Sequence, residues 1–213
     1  MTVQENLNRI LKDIKNYNPR LIAVTKYYGA DKMIEAFDAG LRDFAESKAT
    51  DALEKISKID DTTRNQSVYH FIGHLQTNKV KYVVGNFEYI HSVDSLKLAR
   101  CIDLEAEKKG IIQKILIQVN NAREAQKFGI CLSELENLIK EVAKLKSLKL
   151  EGLMNIAPLN AGESELKKLF SQMRELKESF NLKELSMGMS NDYKIALECG
   201  ATMIRLGRIL FEN

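Results

Sequence analysis

Short apolar runs alternate with helical patterns along almost the whole chain, and this alternation constrains the fold more than any other feature. Each run is typical of a strand covered on both faces. The predicted strands are Leu21–Thr25, Asp43–Glu46, Val68–Ile72, Glu88–Val93, Ile115–Val119, Leu150–Met154, Glu184–Met187 and Met203–Leu206. Eight strands separated by helices predict an α/β fold, a closed (β/α)8 barrel. A doubly wound open sheet is the alternative, but it favours a G-x-G-x-x-G turn after its first strand, and "VTKYYGAD" has a single glycine.

The helices carry their own signals. Before the first strand, an extra amphipathic helix is predicted from the helical spacing of Val3, Leu7, Ile10, Leu11 and Ile14. Gly40 and Gly110 follow helical patterns, as C-terminal caps do. The predicted N-caps are Asp31, Asp94, Ser133 and Asp192.

Composition bounds the class of protein. With 213 residues, two prolines and no Gly/Ser-rich linker, we expect one domain over residues 1–213. The net charge is only +3 and lysines alternate with glutamates, which argues against a nucleic-acid partner. Three scattered cysteines in no CxxC spacing fit a reducing compartment. With no export signal and no long apolar stretch, we expect a cytoplasmic protein without a membrane partner.

Polar residues close several of the predicted strands. In a barrel the carboxyl ends of all strands meet at one rim, which is where barrel enzymes place their sites. The predicted rim residues are Lys26, Glu46, His70, Asn120, Met154, Met187 and Arg205. Lys26 directly follows the first strand, so it is a candidate functional lysine, although taken alone it could be an ordinary solvated loop residue.

Two stretches near the C-terminus indicate an anion site. "LSMGMSND" brings a glycine and Ser190 just before a predicted helix start, and in "MIRLGRIL" the last strand ends in Arg205, Gly207 and Arg208. Glycine backbone, a hydroxyl and helix N-terminal N–H groups bind phosphate, and these loops are the usual phosphate site of the barrel. A lysine in an enclosed site beside a cation such as Arg205 can form an imine with an aldehyde. Pyridoxal 5′-phosphate combines an aldehyde with a phosphate.

These residues belong to a longer set of motifs: "LIAVTK", "AGLRDFAES", "HFIGHLQTNK", "ILIQVN" with "KFGI", "EGLMNI", "LSMGMSND" and "MIRLGRILF". In this order the chain resembles the pyridoxal phosphate homeostasis protein family. The resemblance implies a barrel like the N-terminal domain of alanine racemase, with the cofactor imine on Lys26. It implies phosphate contacts at Ser190 and at the backbone of Gly207 and Arg208, and places Arg205 at the pyridine nitrogen.

The resemblance further implies a protein that binds, buffers or delivers pyridoxal phosphate without turnover. We therefore expect a monomer that contacts apo forms of pyridoxal-phosphate enzymes transiently. The chain departs from the family pattern at Thr25, Tyr28, Ala45, Ser47 and Arg208. At position 208 the family commonly has a small hydroxyl residue, so a backbone contact survives there and a side-chain hydroxyl contact does not.

Two other enzyme classes are alternatives. A racemase of this fold needs a second acid/base from an additional β-domain, and the chain ends at Asn213 after the eighth strand, although Tyr27 or Tyr28 could substitute. A Schiff-base aldolase would carry its lysine at the end of the sixth strand, whereas Lys149 precedes that strand's apolar run.

His70 and His74 form an H-x-x-x-H pair. Metal ligation at this spacing needs a continuous helix, and the pair lies across a predicted strand end, so we expect no metal there. His70 is at most a residue that supports the site from behind.

Overall fold

Eight parallel strands close into a barrel in the computed structural model, which describes residues 2–122 and 128–212. The strands are β1 Arg20–Val24, β2 Asp43–Glu46, β3 Val68–Phe71, β4 Tyr89–Val93, β5 Gln113–Gln118, β6 Leu148–Met154, β7 Glu184–Ser186 and β8 Met203–Leu206. Each strand pairs with the next, and β8 returns to pair with β1. The predicted barrel is confirmed and the open sheet is wrong. The predicted strand ends hold to within one residue, while β5 and β6 begin two residues earlier.

Helices surround the barrel. They are α1 Val3–Ile14, α2 Ala30–Asp38, α3 Ala49–Ser57, α4 Asp61–Asn65, α5 Val80–Val83, α6 Leu96–Lys108, α7 Leu132–Val142, α8 Glu163–Ser179, α9 Tyr193–Glu198 and α10 Arg208–Phe211. The extra helix α1 packs on α2, α9 and α10. Its apolar stripe is buried as expected except for Leu11, which is exposed, while Asn6 is buried and donates to the Leu210 carbonyl at 3.1 Å.

The helix caps are partly as predicted. Gly40 and Gly110 end α2 and α6 with φ of 104° and 66°, a backbone region that favours glycine. Asp192 is the N-cap of α9, but the other three predicted N-caps are wrong by one or two residues. The N-caps of α2, α6 and α7 are Gly29, Ser95 and Cys131. At α6, the Ser95 hydroxyl accepts the Leu98 N–H, so the cap shifts past Asp94.

The two-residue period of the strands divides the core into two layers. One set of side chains points outward beneath the helices, as Ala23 and Phe44 do. The other set fills the barrel lumen with the cluster Ile22, Val24, Ala45, Tyr89, Leu116, Met154 and Met203. Barrel lumens are packed cores rather than pores, so a ligand must bind at the rim. Among the helices of the described residues, none is long and apolar enough to cross a membrane.

Candidate functional site

One cleft at the carboxyl rim of the barrel contains every predicted site residue. Its volume is about 380 Å³, and its lining includes Lys26, Ser190, Arg205, Gly207 and Arg208. Barrel closure explains this, because β8 pairs with both β7 and β1 and so places their three loops side by side. The rest of the wall is mostly apolar, with Val24, Ile72, Ile156 and Leu159 among its residues. Ligand sites commonly combine apolar walls with a few polar groups in this way.

Lys26 lies at the mouth of the cleft. It continues the alternation that places Ile22 and Val24 in the lumen, so its position carries it over the barrel opening. Its ammonium lies 4.9 Å from the centre of the Tyr27 ring. Both residues are exposed, Tyr27 by 82%. Because β1 ends before Lys26, the residue stands clear of the packed lumen.

A buried polar cluster that the sequence did not reveal lies directly behind Lys26. We call Thr25, Glu46 and Lys55 the Glu46 cluster. The Lys55 ammonium donates to Glu46 Oε1 and to the Thr25 carbonyl, each at 2.6 Å, and the Thr25 hydroxyl donates to the same Glu46 oxygen at 2.7 Å. The Glu46 side chain is only 3% exposed. Glu46 therefore fixes the end of β1 from the helix side of the sheet and does not line the cleft.

Three other predicted rim residues, Met154, Met187 and Asn120, also do not line the cleft. Met154 packs in the lumen and Met187 packs in the outer layer. Asn120 holds its loop through an N–H bond to the Ile130 carbonyl at 2.9 Å. The motif residue Lys127 lies outside the described residues.

The loop after β7 brings Ser190 towards the loop after β8. The Ile209 N–H lies 3.4 Å from the Ser190 hydroxyl oxygen, which joins the two loops. Gly188 has φ of 89°, and a Cβ there would lie 2.6 Å from the Ala196 Cβ. Glycine is required at position 188 because α9 packs against this turn, so the packing alone accounts for it without any bound anion.

The helices that follow the loops after β7 and β8 contribute less to an anion site than predicted. The helices that follow the two loops, α9 and α10, have six and four residues, and α9 begins at Tyr193. Such short helices carry little macrodipole. The groups of the cleft with the chemistry to bind an anion are therefore the Ser190 hydroxyl, the backbone N–H groups near Gly207 and the exposed guanidinium of Arg208.

Arg205 lies at the floor of the cleft and is only 3% exposed. Its Nη1 donates to the Ser186 hydroxyl at 2.6 Å and its Nη2 to the Asn155 carbonyl at 2.8 Å. These bonds use two of the five N–H groups of a guanidinium. Burial lowers the pKa of Arg205 to about 10, which still leaves it charged at neutral pH. The floor of the cleft is therefore cationic.

The two motif histidines have different surroundings. His70 points into the lumen, where its Nε2 lies 2.9 Å from Asp43 Oδ1. His74 stacks on the Phe128 ring at 3.8 Å and has its Nδ1 3.8 Å from Asp94 Oδ2. Over residues 2–122 and 128–212, no group of three or more histidines, cysteines and carboxylates converges on a possible metal position.

The family model for the alanine racemase N-terminal domain matches residues 2–212. A pyridoxal phosphate homeostasis protein of Synechocystis is 42% identical, with 90% of each chain covered. One of Escherichia coli strain K12 is 35% identical, covering 90% of this chain and 84% of the relative.

Solved structures are also similar to this chain. PipY of Synechococcus elongatus with pyridoxal phosphate (PLP) bound superposes with a TM-score of 0.90 at 35% identity, covering 98% of this chain and 99% of PipY. Alanine racemase of Clostridium difficile shares the fold with a TM-score of 0.80 at 16% identity, covering 98% of this chain and 56% of the racemase. The family predicted from the motifs is thus confirmed. The chain belongs to the alanine racemase N-terminal domain family and, within it, to the pyridoxal phosphate homeostasis proteins.

Proposed function

We propose that this protein binds pyridoxal 5′-phosphate and serves its homeostasis by holding, buffering or delivering the cofactor without turnover. One observation carries the proposal. A lysine amine, a phosphate-compatible pair of loops and a buried arginine share a single cleft. The names of the relatives and the ligand bound to PipY support it.

The residues of the cleft fit the cofactor. Lys26 would hold it covalently, while Ser190 and the backbone at Gly207 and Arg208 would hold the phosphate. The Arg208 guanidinium adds a charged donor where the family commonly has a hydroxyl. The apolar wall suits the flat face of the ring, and Arg205 would face the ring nitrogen. When bound, the cofactor supplies an electron sink for reactions at amino-acid carbon atoms.

Arg205 argues against use of that electron sink. A protonated ring nitrogen facing this guanidinium would place two unit charges together, which at about 4 Å costs about 4 kcal/mol at an effective dielectric of 20. That is roughly three pKa units against protonation of the nitrogen. Asp192, the one carboxylate among the described residues that line the cleft, accepts a hydrogen bond from the Met189 N–H. The site therefore favours retention of the cofactor over carbanion chemistry.

The racemase alternative needs a second acid/base, and Tyr28 is poorly suited to that role. Burial and the neighbouring Glu212 raise the pKa of Tyr28 to about 12. Its hydroxyl donates to Glu212 Oε1 at 2.7 Å, so its proton is already committed. The aldolase alternative fails on position, because Lys149 lies near the amino end of β6 and pairs with Glu151 at 2.7 Å.

Borohydride reduction of cofactor-loaded protein tests the proposal. We expect a yellow protein in which reduction fixes the cofactor to Lys26, as read by peptide mapping. Lys26→Ala abolishes the label, and the surface control Lys108→Ala retains it. A label confined to another lysine, or no label at cofactor saturation, would refute the assignment of Lys26.

Hydrogen exchange separates carrier from racemase. Alanine incubated with loaded protein in deuterated water should show negligible exchange of its α hydrogen by NMR. Stereospecific exchange at an enzymatic rate, lost in Lys26→Ala, would restore the racemase.

The domain organisation, location, oligomeric state and partners of the protein are proposed as well. We propose a single-domain cytoplasmic monomer that contacts apo enzymes transiently at the cleft mouth, where Tyr27 and Leu159 are 82% and 80% exposed. Light scattering of loaded protein tests the monomer, and the rate of cofactor transfer to an apo PLP enzyme tests the contact. A stable dimer would refute the monomer, and unchanged transfer kinetics in Leu159→Ser would refute the contact.

A further inference from the structure

A continuous row of polar side chains crosses the lumen and ends at Arg205. We call Asp43, His70, His91, Ser186 and Arg205 the lumen chain. Asp43 Oδ1 lies 2.9 Å from His70 Nε2, and His70 Nδ1 lies 2.9 Å from His91 Nε2. His91 Nδ1 lies 3.0 Å from the Ser186 hydroxyl, which accepts from Arg205 at 2.6 Å. The lumen chain runs from the start of β2 to the cleft floor.

The two ends fix the direction of every hydrogen bond in the lumen chain. A carboxylate only accepts and a guanidinium only donates. His70 therefore donates from Nε2 to Asp43 and accepts at Nδ1 from His91 Nε2. His91 in turn accepts at Nδ1 from the Ser186 hydroxyl, whose oxygen is left to accept from Arg205. One tautomer at each histidine satisfies every bond.

Burial keeps both rings in the neutral form that this arrangement requires. His70 and His91 are each 0% exposed. Desolvation lowers the pKa of both rings, and for His91 the charge of Arg205 adds to the effect. At the far end, burial alone would raise the pKa of Asp43, but hydrogen bonds from His70 and Arg20 outweigh it and the net shift is downward. Arg20 donates to the same Asp43 oxygen at 2.8 Å.

We propose that His91 and His70 are positioning residues that orient Arg205 towards the ring nitrogen of the bound cofactor. By committing the Ser186 proton, His91 keeps the Ser186 oxygen turned to Nη1 while the Asn155 carbonyl holds Nη2. Two fixed points set the plane of the guanidinium. The inference rests on the proposed function, because it requires a ligand whose ring nitrogen faces Arg205.

NMR of the apo protein tests the lumen chain without any ligand. The whole protein has three histidines, so the ring ¹⁵N signals are few. We expect His70 and His91 as neutral Nε2–H tautomers at pH 7, with Ser186→Ala shifting the Nδ1 signal of His91. A cationic ring, or the Nδ1–H tautomer at His91, would overturn the proposal.

Ligand affinity tests the orientation of Arg205. The probes are pyridoxal phosphate and its analogue with carbon in place of the ring nitrogen. Loss of one charge-assisted hydrogen bond predicts about tenfold weaker binding of the analogue to the wild type. His91→Leu should reduce this preference towards one, and His91→Gln, which keeps a donor and an acceptor, should restore part of it. His74→Leu is the matched control and should keep the full preference.

The outcomes separate the two proposals. If the wild type binds neither probe, the proposed function is refuted, and with it the premise of this inference. If the wild type discriminates and a folded His91→Leu discriminates equally, the positioning role alone is refuted. Should His91→Leu not fold, Ser186→Ala tests the same link by removing a single oxygen, and an unchanged preference in that variant likewise refutes the positioning role.

Discussion

Breaking the Glu46 cluster from one side should destabilise the protein more than removing both charges. In Lys55→Met, the Glu46 carboxylate would stay buried with the Thr25 hydroxyl as its remaining partner in the cluster. Its side chain is 3% exposed and that of Lys55 is 13% exposed, so water replaces the lost ammonium poorly. The carboxylate would also lose a bond of 2.6 Å, and the Thr25 carbonyl would lose its ammonium donor.

The expected loss follows from this burial. Removal of one partner of a buried ion pair costs about 3–5 kcal/mol. For a chain of this size each kcal/mol lowers Tm by about 2–4 °C, so Lys55→Met should lower Tm by roughly 6–20 °C. Because Thr25 immediately precedes Lys26, the same variant should also slow borohydride-stable attachment of the cofactor.

The double variant Lys55→Met/Glu46→Gln provides the comparison. It removes both charges, so it should recover most of the lost stability, as neutral replacements of buried pairs do. Urea unfolding of both variants and of Glu46→Gln completes a double-mutant cycle. Equal losses in Lys55→Met and in the double variant would show that the buried charge is not the cause. A loss below about 1 kcal/mol in Lys55→Met would show that the pair behaves as an exposed one.

Three further predictions concern the anion site, the lumen and the turn at Gly188. Ser190→Ala should weaken pyridoxal phosphate about tenfold or more but leave unphosphorylated pyridoxal unchanged in titrations, and equal weakening of both would exclude a phosphate contact. Acidification should destabilise the protein below about pH 6.5. There the unfolded state binds more protons at His70 and His91 than the native state does, which lowers stability by up to about 1.4 kcal/mol per pH unit for each ring. Asp192, whose pKa burial raises, has the opposite effect on stability. The measurement is therefore the urea midpoint at a series of pH values, and its dependence on pH should be weaker in His91→Leu than in the wild type. Gly188→Ala should cost about 1–3 kcal/mol or more, because its φ is 89° and its Cβ would meet Ala196. Gly162→Ala, with open space around it, should change stability by less than about 1 kcal/mol, and equal effects would refute the strain argument.

The sequence by itself determined the barrel and which residues line its cleft. Strand and helix periods are local properties of the chain, and in an all-parallel barrel consecutive strands become neighbours. Residues that follow β1, β7 and β8 must then meet at one rim. For this reason Lys26, Ser190 and Arg205 could be placed together before any distance was known, and the structure lines one cleft with them.

Tertiary structure alone decided what holds that cleft in place. Lys55 lies on an ordinary amphipathic helix, and only packing of α3 against β1 and β2 carries its ammonium to the Thr25 carbonyl. His91 and Ser186 belong to β4 and β7, which are not neighbours in the sheet, and a register irregularity in β4 accompanies their contact. Such contacts depend on the width of the lumen and on the aim of single side chains. Periodicity says which face a residue occupies, whereas a hydrogen bond requires two atoms within about 3 Å across the barrel, a distance that only the closed fold sets.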